Sequence, residues 1–83
     1  MVKTIIFDPL FKNKLKKIKD SSLKSKIKKQ IAKIINSPET GKPMKYARKG
    51  TREVYVRPFR LSYHYSERKD ELIFLELYHK DKQ

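Results

Sequence analysis

The chain has no cysteine, only two glycines, and nine acidic residues against twenty-two lysines and arginines. Each shortage excludes something. Without cysteine there is no disulfide and no thiolate metal site, as befits a reducing cytosol. Gly41 and Gly50 are too few and too far apart to form a phosphate-cradling glycine loop. The two histidines, His64 and His79, fall in separate predicted strands, and the acids are scattered. No metal or cofactor is therefore expected. No apolar run is long enough to span a bilayer. Residues 1–9 lack the apolar region and small-residue cleavage site of a signal peptide. A cytoplasmic protein without a membrane partner is expected, and 83 residues are expected to form one small domain over positions 1–83.

What is abundant is positive charge. The formal net charge of +13 predicts a polyanionic partner. Residues 1–36 carry eleven lysines, two acids and no arginine. Residues 37–83 hold all five arginines, with six lysines and seven acids. Lysine is a compact, hydrated point charge suited to long-range attraction, whereas arginine offers a planar fork for oriented phosphate contacts. The first part thus reads as the attractor, with Lys28 and Lys29 among its contacts, and the second as the site. The plain alternative for the helix lysines is a solvated face.

The hydrophobic pattern organises the chain. Val2–Phe7 is β-prone. Asp8-Pro9 is a helix start, with Asp as N-cap and Pro at the first helical position. That helix buries Leu10 or Phe11, then Leu15 and Ile18. Asp20-Ser21-Ser22 ends it and caps a second helix, whose stripe is Leu23, Ile27, Ile31 and Ile34 or Ile35. Residues 36–43 are a helix stop and loop. Three alternating strands follow, 52–57, 59–65 and 71–80, which predict antiparallel pairing.

Matching apolar to apolar sets a register. Leu61 falls opposite Leu77, Tyr63 opposite Leu75 and Tyr65 opposite Ile73. The other face places Arg60 opposite Tyr78, Ser62 opposite Glu76 and His64 opposite Phe74. Across a Pro58-Phe59 turn, Val54 meets Tyr63, Val56 meets Leu61 and Arg57 meets Arg60. Like charges directly opposite destabilise a sheet by a few tenths to about 1 kcal/mol, which points to function. Glu76, diagonal to Arg60, or Glu53 is the alternative as a plain counter-ion.

The Phe59-Arg60-Leu61-Ser-Tyr63 segment, the lysine-rich helical hairpin, Gly41-Lys-Pro-Met-Lys and the final Leu-Tyr78-His79-Lys80 together resemble the RelE/ParE superfamily of type II toxin–antitoxin toxins. The resemblance implies an α+β fold, with an N-terminal strand and a two-helix hairpin packed on one face of a small antiparallel β-sheet. It implies metal-independent mRNA cleavage on the ribosome by attack of the 2′-hydroxyl, inhibiting translation. It also implies neutralisation by an acidic cognate antitoxin in a hetero-oligomer. Arg60 then matches the phosphate-stabilising arginine and His79 the general acid of YoeB-like members. The RelE-like lysines fall here on Glu53 and Tyr55. The YoeB-like base glutamate has no counterpart in Lys42-Pro43-Met44.

Residue chemistry fits these roles. Arg60 can contact both non-bridging oxygens and stabilise a pentavalent transition state, with Arg57 assisting. His79 is of a residue type suited to proton transfer and would protonate the leaving oxygen. Tyr55 and Tyr78 could stack on unpaired bases. His64, Arg52 and Lys80 are further substrate contacts, and Glu53 or Glu76 is the base. Two other classes share the fold: a ParE-like, non-nucleolytic toxin that inhibits DNA gyrase, and a degenerate basic RNA-binding protein.

Overall fold

The computed structural model describes residues 2–45 and 50–79. Lys80, Lys82 and Arg48 lie outside them. Strand β1 (Thr4–Phe7) leads to helices α1 (Pro9–Lys17) and α2 (Ser21–Asn36). A 3-10 turn (Pro38–Thr40) and strands β2 (Lys42–Pro43), β3 (Arg52–Val56), β4 (Phe59–Ser66) and β5 (Glu71–His79) follow.

Both helices start where their caps dictate. Asp8 accepts from the Leu10 N–H at 2.9 Å, and Asp20 accepts from Ser22 and Leu23 at 2.9 and 3.2 Å. The Asp8 N–H also donates to the Phe74 carbonyl at 2.8 Å, which fixes the entry of α1 against β5. The alternatives along the helices resolve as Phe11 and Ile34, both fully buried like the expected Ile27, whereas Leu10 is exposed and Ile35 only partly buried. On the sheet they meet Leu61, Tyr63, Leu72, Phe74 and Leu77. Phe7 stacks on Phe74 at 5.0 Å between ring centroids, and Phe11 tilts against the same ring at 5.6 Å.

The sheet is mixed, in the order β1-β5-β4-β3-β2. Only β1 departs from the antiparallel expectation: it runs parallel to β5, with Ile6 beside Ile73 and Phe7 beside Phe74. The helical crossover between β1 and the later strands makes that direction available.

Two register expectations need correction. Between β3 and β4 the partners are Val54–Leu61, Tyr55–Arg60 and Val56–Phe59. The turn is Arg57-Pro58, with a cis peptide between them, so Arg57 does not face Arg60. Between β4 and β5 the expected pairs hold for Arg60–Tyr78, Leu61–Leu77 and Ser62–Glu76. Beyond Ser62 a bulge takes up one residue, so Tyr63 meets Phe74, His64 meets Ile73 and Tyr65 meets Leu72. The bulge turns Leu72 and Phe74 into the core in place of Ile73 and Leu75.

Candidate functional site

Alternation along the strands assigns Glu53, Tyr55, Arg60, Ser62, His64, Ile73, Glu76 and Tyr78 to the sheet face opposite the helices. Three of these polar residues are nevertheless buried, namely Glu53, Ser62 and Tyr78. A buried carboxylate requires partners. Glu53 accepts from the Tyr78 hydroxyl through Oε2 at 2.5 Å, and its Oε1 lies 3.4 Å from Arg60 Nη1. The three side chains come from three adjacent strands, brought together by the pairings Tyr55–Arg60 and Arg60–Tyr78.

Arg60 is held unevenly. Its side chain is 36% exposed, against 4% for Glu53. Its Nε is buried and meets no acceptor among the described residues. An unpaired buried donor costs roughly 1–3 kcal/mol, so stability alone does not account for this pose. Beside the guanidinium opens a pocket of about 280 Å³, lined by Lys42, Met44, Glu53, Val54, Tyr55 and Arg60. Lys42 pairs with Glu53 across β2 and β3, which puts its side chain on the same face. Tyr55 is 47% exposed on the rim, and the Arg57 guanidinium carbon lies 5.9 Å from its ring centroid.

The sequence candidates divide accordingly. Arg60, Tyr55, His64, Glu53, Glu76 and Tyr78 share this face, and Arg57 is exposed at its hairpin tip. The ring of Tyr78 is buried and its hydroxyl committed to Glu53, so it offers no face to an unpaired base. Glu53, not Glu76, is the carboxylate at Arg60; Glu76 is exposed opposite Ser62.

Arg52 and His79 belong to the other face. Arg52 pairs with Tyr63 and donates to the carbonyls of Gly41 at 2.8 Å and Glu39 at 3.3 Å. It clamps the loop after α2. His79 pairs with Phe59, and the two rings meet edge-on at 5.8 Å. The general-acid role expected of His79 meets an obstacle here, because consecutive strand residues point to opposite faces and the neighbour of His79, Tyr78, is the one that shares the face of Arg60. Lys28 and Lys29 are exposed on α2.

Sequence reasoning missed the hydrogen bond between Glu53 and Tyr78. The signal was available, since both residues fall on the Arg60 face under either register. Among the described residues no group of three or more His, Asp or Glu side chains could hold a metal. No described helix is long and apolar enough to cross a membrane.

Similarity to known proteins runs along the whole fold. The structure resembles the YoeB/ParE toxin from Agrobacterium tumefaciens, with a TM-score of 0.81 and 15% identity over 93% of this chain and 98% of that one. It resembles a chain of the RelBE2 toxin–antitoxin complex from Mycobacterium tuberculosis, with a TM-score of 0.79 and 20% identity over 96% and 100%. It also resembles YafQ from E. coli, with a TM-score of 0.73 and 22% identity over 95% and 94%. No curated protein sequence matches the chain. Residues 5–83 match the family model described as the ParE toxin of the type II toxin–antitoxin system parDE. With its two helices on one face of a five-stranded sheet and that match over nearly its full length, the chain belongs to the ParE toxin family within the RelE/ParE superfamily.

Proposed function

We propose that this toxin-family chain is a metal-independent endoribonuclease that cleaves mRNA on the ribosome and so stops translation. The observation that carries the reading is Arg60. It is an incompletely satisfied guanidinium on the helix-free face, beside a pocket and a carboxylate. Its donors suit the non-bridging oxygens of a phosphodiester, and they become more valuable as charge builds in the pentavalent transition state.

The substrate supplies its own nucleophile, the ribose 2′-hydroxyl. Glu53 takes the hydroxyl proton, the 2′-oxygen bonds to phosphorus, and the bond from phosphorus to the 5′-oxygen breaks. Water protonates the departing 5′-oxygen, and a 2′,3′-cyclic phosphate remains. Tyr55, exposed at the pocket rim, stacks on an unpaired flanking base while Arg57 and Lys42 approach the backbone. The lysines of α2, Lys28 and Lys29 included, supply long-range attraction to ribosomal RNA.

A cognate antitoxin with an acidic segment is the regulatory partner in the cytoplasm. Its support is the net charge of +13 and the fact that several structural relatives were solved as complexes with RelB antitoxins.

The second reading is a non-nucleolytic toxin that inhibits DNA gyrase. The pairing of Arg60 with Glu53 and the placement of His79 on the other face favour it. One pair of assays separates them. The purified chain should cut message on translating ribosomes and leave gyrase supercoiling unaffected. Arg60→Ala should lose about a hundredfold in cleavage rate, the worth of a preorganised transition-state donor. Inhibited supercoiling without cleavage would overturn the nuclease.

A further inference from the structure

We infer that Glu53 is an internal counter-anion for Arg60, anchored by Tyr78, and that a substrate phosphate must draw Arg60 away from it. The inference rests on Arg60 being the phosphate ligand and adds what restrains that ligand. Among the described residues, the contact of Glu53 with Tyr78 is short at 2.5 Å and that with Arg60 long at 3.4 Å. The carboxylate is 4% exposed, whereas Arg60 is 36% exposed on a flexible stem. The carboxylate is therefore the fixed partner and the guanidinium the mobile one.

Two features make the resting pose easy to leave. The Nε donor is buried without an acceptor among the described residues. The pocket onto which Arg60 borders gives the guanidinium somewhere to go. In the resting pose the Arg60 charge is offset by Glu53, although Lys42 also lines the pocket and the chain as a whole carries +13. RNA is thus attracted to the molecule without being gripped at Arg60. The grip forms only when a phosphate presented in the right orientation outcompetes Glu53. Tyr78 is a positioning residue in this arrangement, since it acts on Arg60 through the carboxylate.

The test is binding of a fluorescent single-stranded RNA oligonucleotide, 2′-O-methylated so that it cannot be cut, measured by anisotropy at fixed ionic strength. Glu53→Gln should bind about tenfold tighter than the unmodified protein, the scale of one close charge pair. Glu53→Met should give the same gain, and it guards against failure of the glutamine variant to fold, because buried ion pairs tolerate apolar replacement. The gain should vanish when Arg60→Ala is combined with either. Glu76→Gln, which removes a carboxylate from the same face without touching Arg60, should give a clearly smaller gain.

Unchanged or weaker binding by both natively melting Glu53 variants would overturn the inference. So would an equal gain from Glu76→Gln, or a gain that persists without Arg60. A parallel ribosome assay keeps the two readings apart. If the unmodified chain cuts message and the Glu53 variants do not bind more tightly, the nuclease stands and the counter-anion falls. If it cuts nothing while Arg60-dependent tightening appears, the counter-anion stands and the nuclease falls.

Discussion

A Cβ on Gly41 would lie 2.6 Å from the hydroxyl oxygen of Tyr63. The phenol reaches this deep because it stitches the loop after α2 to the sheet. It donates to the Pro38 carbonyl at 2.6 Å and accepts from the Gly41 N–H at 2.7 Å. Replacing Gly41 by alanine forces the loop off the ring. The expected destabilisation is roughly 1–3 kcal/mol, as for other overpacked sites. Urea unfolding should show it as a lowered midpoint at constant slope. An unchanged midpoint would mean that the loop yields at no cost.

Burial raises the Tyr63 hydroxyl above its ordinary value of 10.0, with the Gly41 hydrogen bond and the Arg52 charge only partly opposing the rise. A group whose folded value lies above its unfolded value favours the folded state while protonated. That contribution is complete below the unfolded value and is lost as pH climbs through the folded one. Stability should accordingly fall as pH rises beyond about 10. Tyr63→Phe should be less stable at neutral pH, by roughly 1–3 kcal/mol for the abandoned, buried Gly41 N–H and part-buried Pro38 carbonyl. It should also show a shallower alkaline decline. Equal alkaline slopes in the two proteins would shift the effect to other residues, Tyr65 among them, whose hydroxyl is also raised, chiefly by its hydrogen bond to Asp70.

The α2 lysines should act through salt. Reversing Lys24, Lys28 and Lys29 to glutamate should weaken association with ribosomes or RNA. For every phosphate that is no longer neutralised, the log–log salt slope should become shallower by roughly 0.7–0.9. A slope identical to that of the unmodified chain would identify these lysines as a solvated face.

His79 faces Phe59, away from Arg60, so its replacement should be mild. His79→Gln should retain ribosome-dependent cleavage within about tenfold, whereas removal of a positioned general acid costs ~10²–10⁴-fold. Measured with a normal substrate and one bearing a 5′-sulfur leaving group, the variant should show no selective rescue. A drop of about a hundredfold or more, restored by sulfur, would make His79 the acid.

The helices and the strand faces of β3 and β4 were legible because caps and periodicity are local. Asp8-Pro9 and Asp20 set the helix starts, and alternation set which side of those strands Arg60 and Val54 occupy. Register was harder. Sliding β3 by two residues returns every side chain to the same face, so Val54 opposite Tyr63 and Val56 opposite Leu61 satisfy the pattern as well as the true pairs. In β5 the run Leu72-Ile73-Phe74-Leu75 is apolar on both parities, so no alternation revealed the bulge. The site inherited both difficulties. Its face could be read, but the Arg57–Arg60 opposition could not survive, and the carboxylate at Arg60 depended on pairings between distant segments.

Strand β1 lies beside β5, the first strand beside the last described one. A chain emerging from the ribosome can form its helical hairpin early, but β1 has no neighbour until residues 71–79 have been made. The same final strand brings Tyr78 to Glu53. Until then Phe7, Phe11 and the inward face of β4 lack the Phe74 ring on which they close. Assembly must therefore wait for the end of the described chain, as expected where pairing is between distant segments. A nascent copy thus carries Arg60 well before Tyr78 is there to fix the carboxylate beside it.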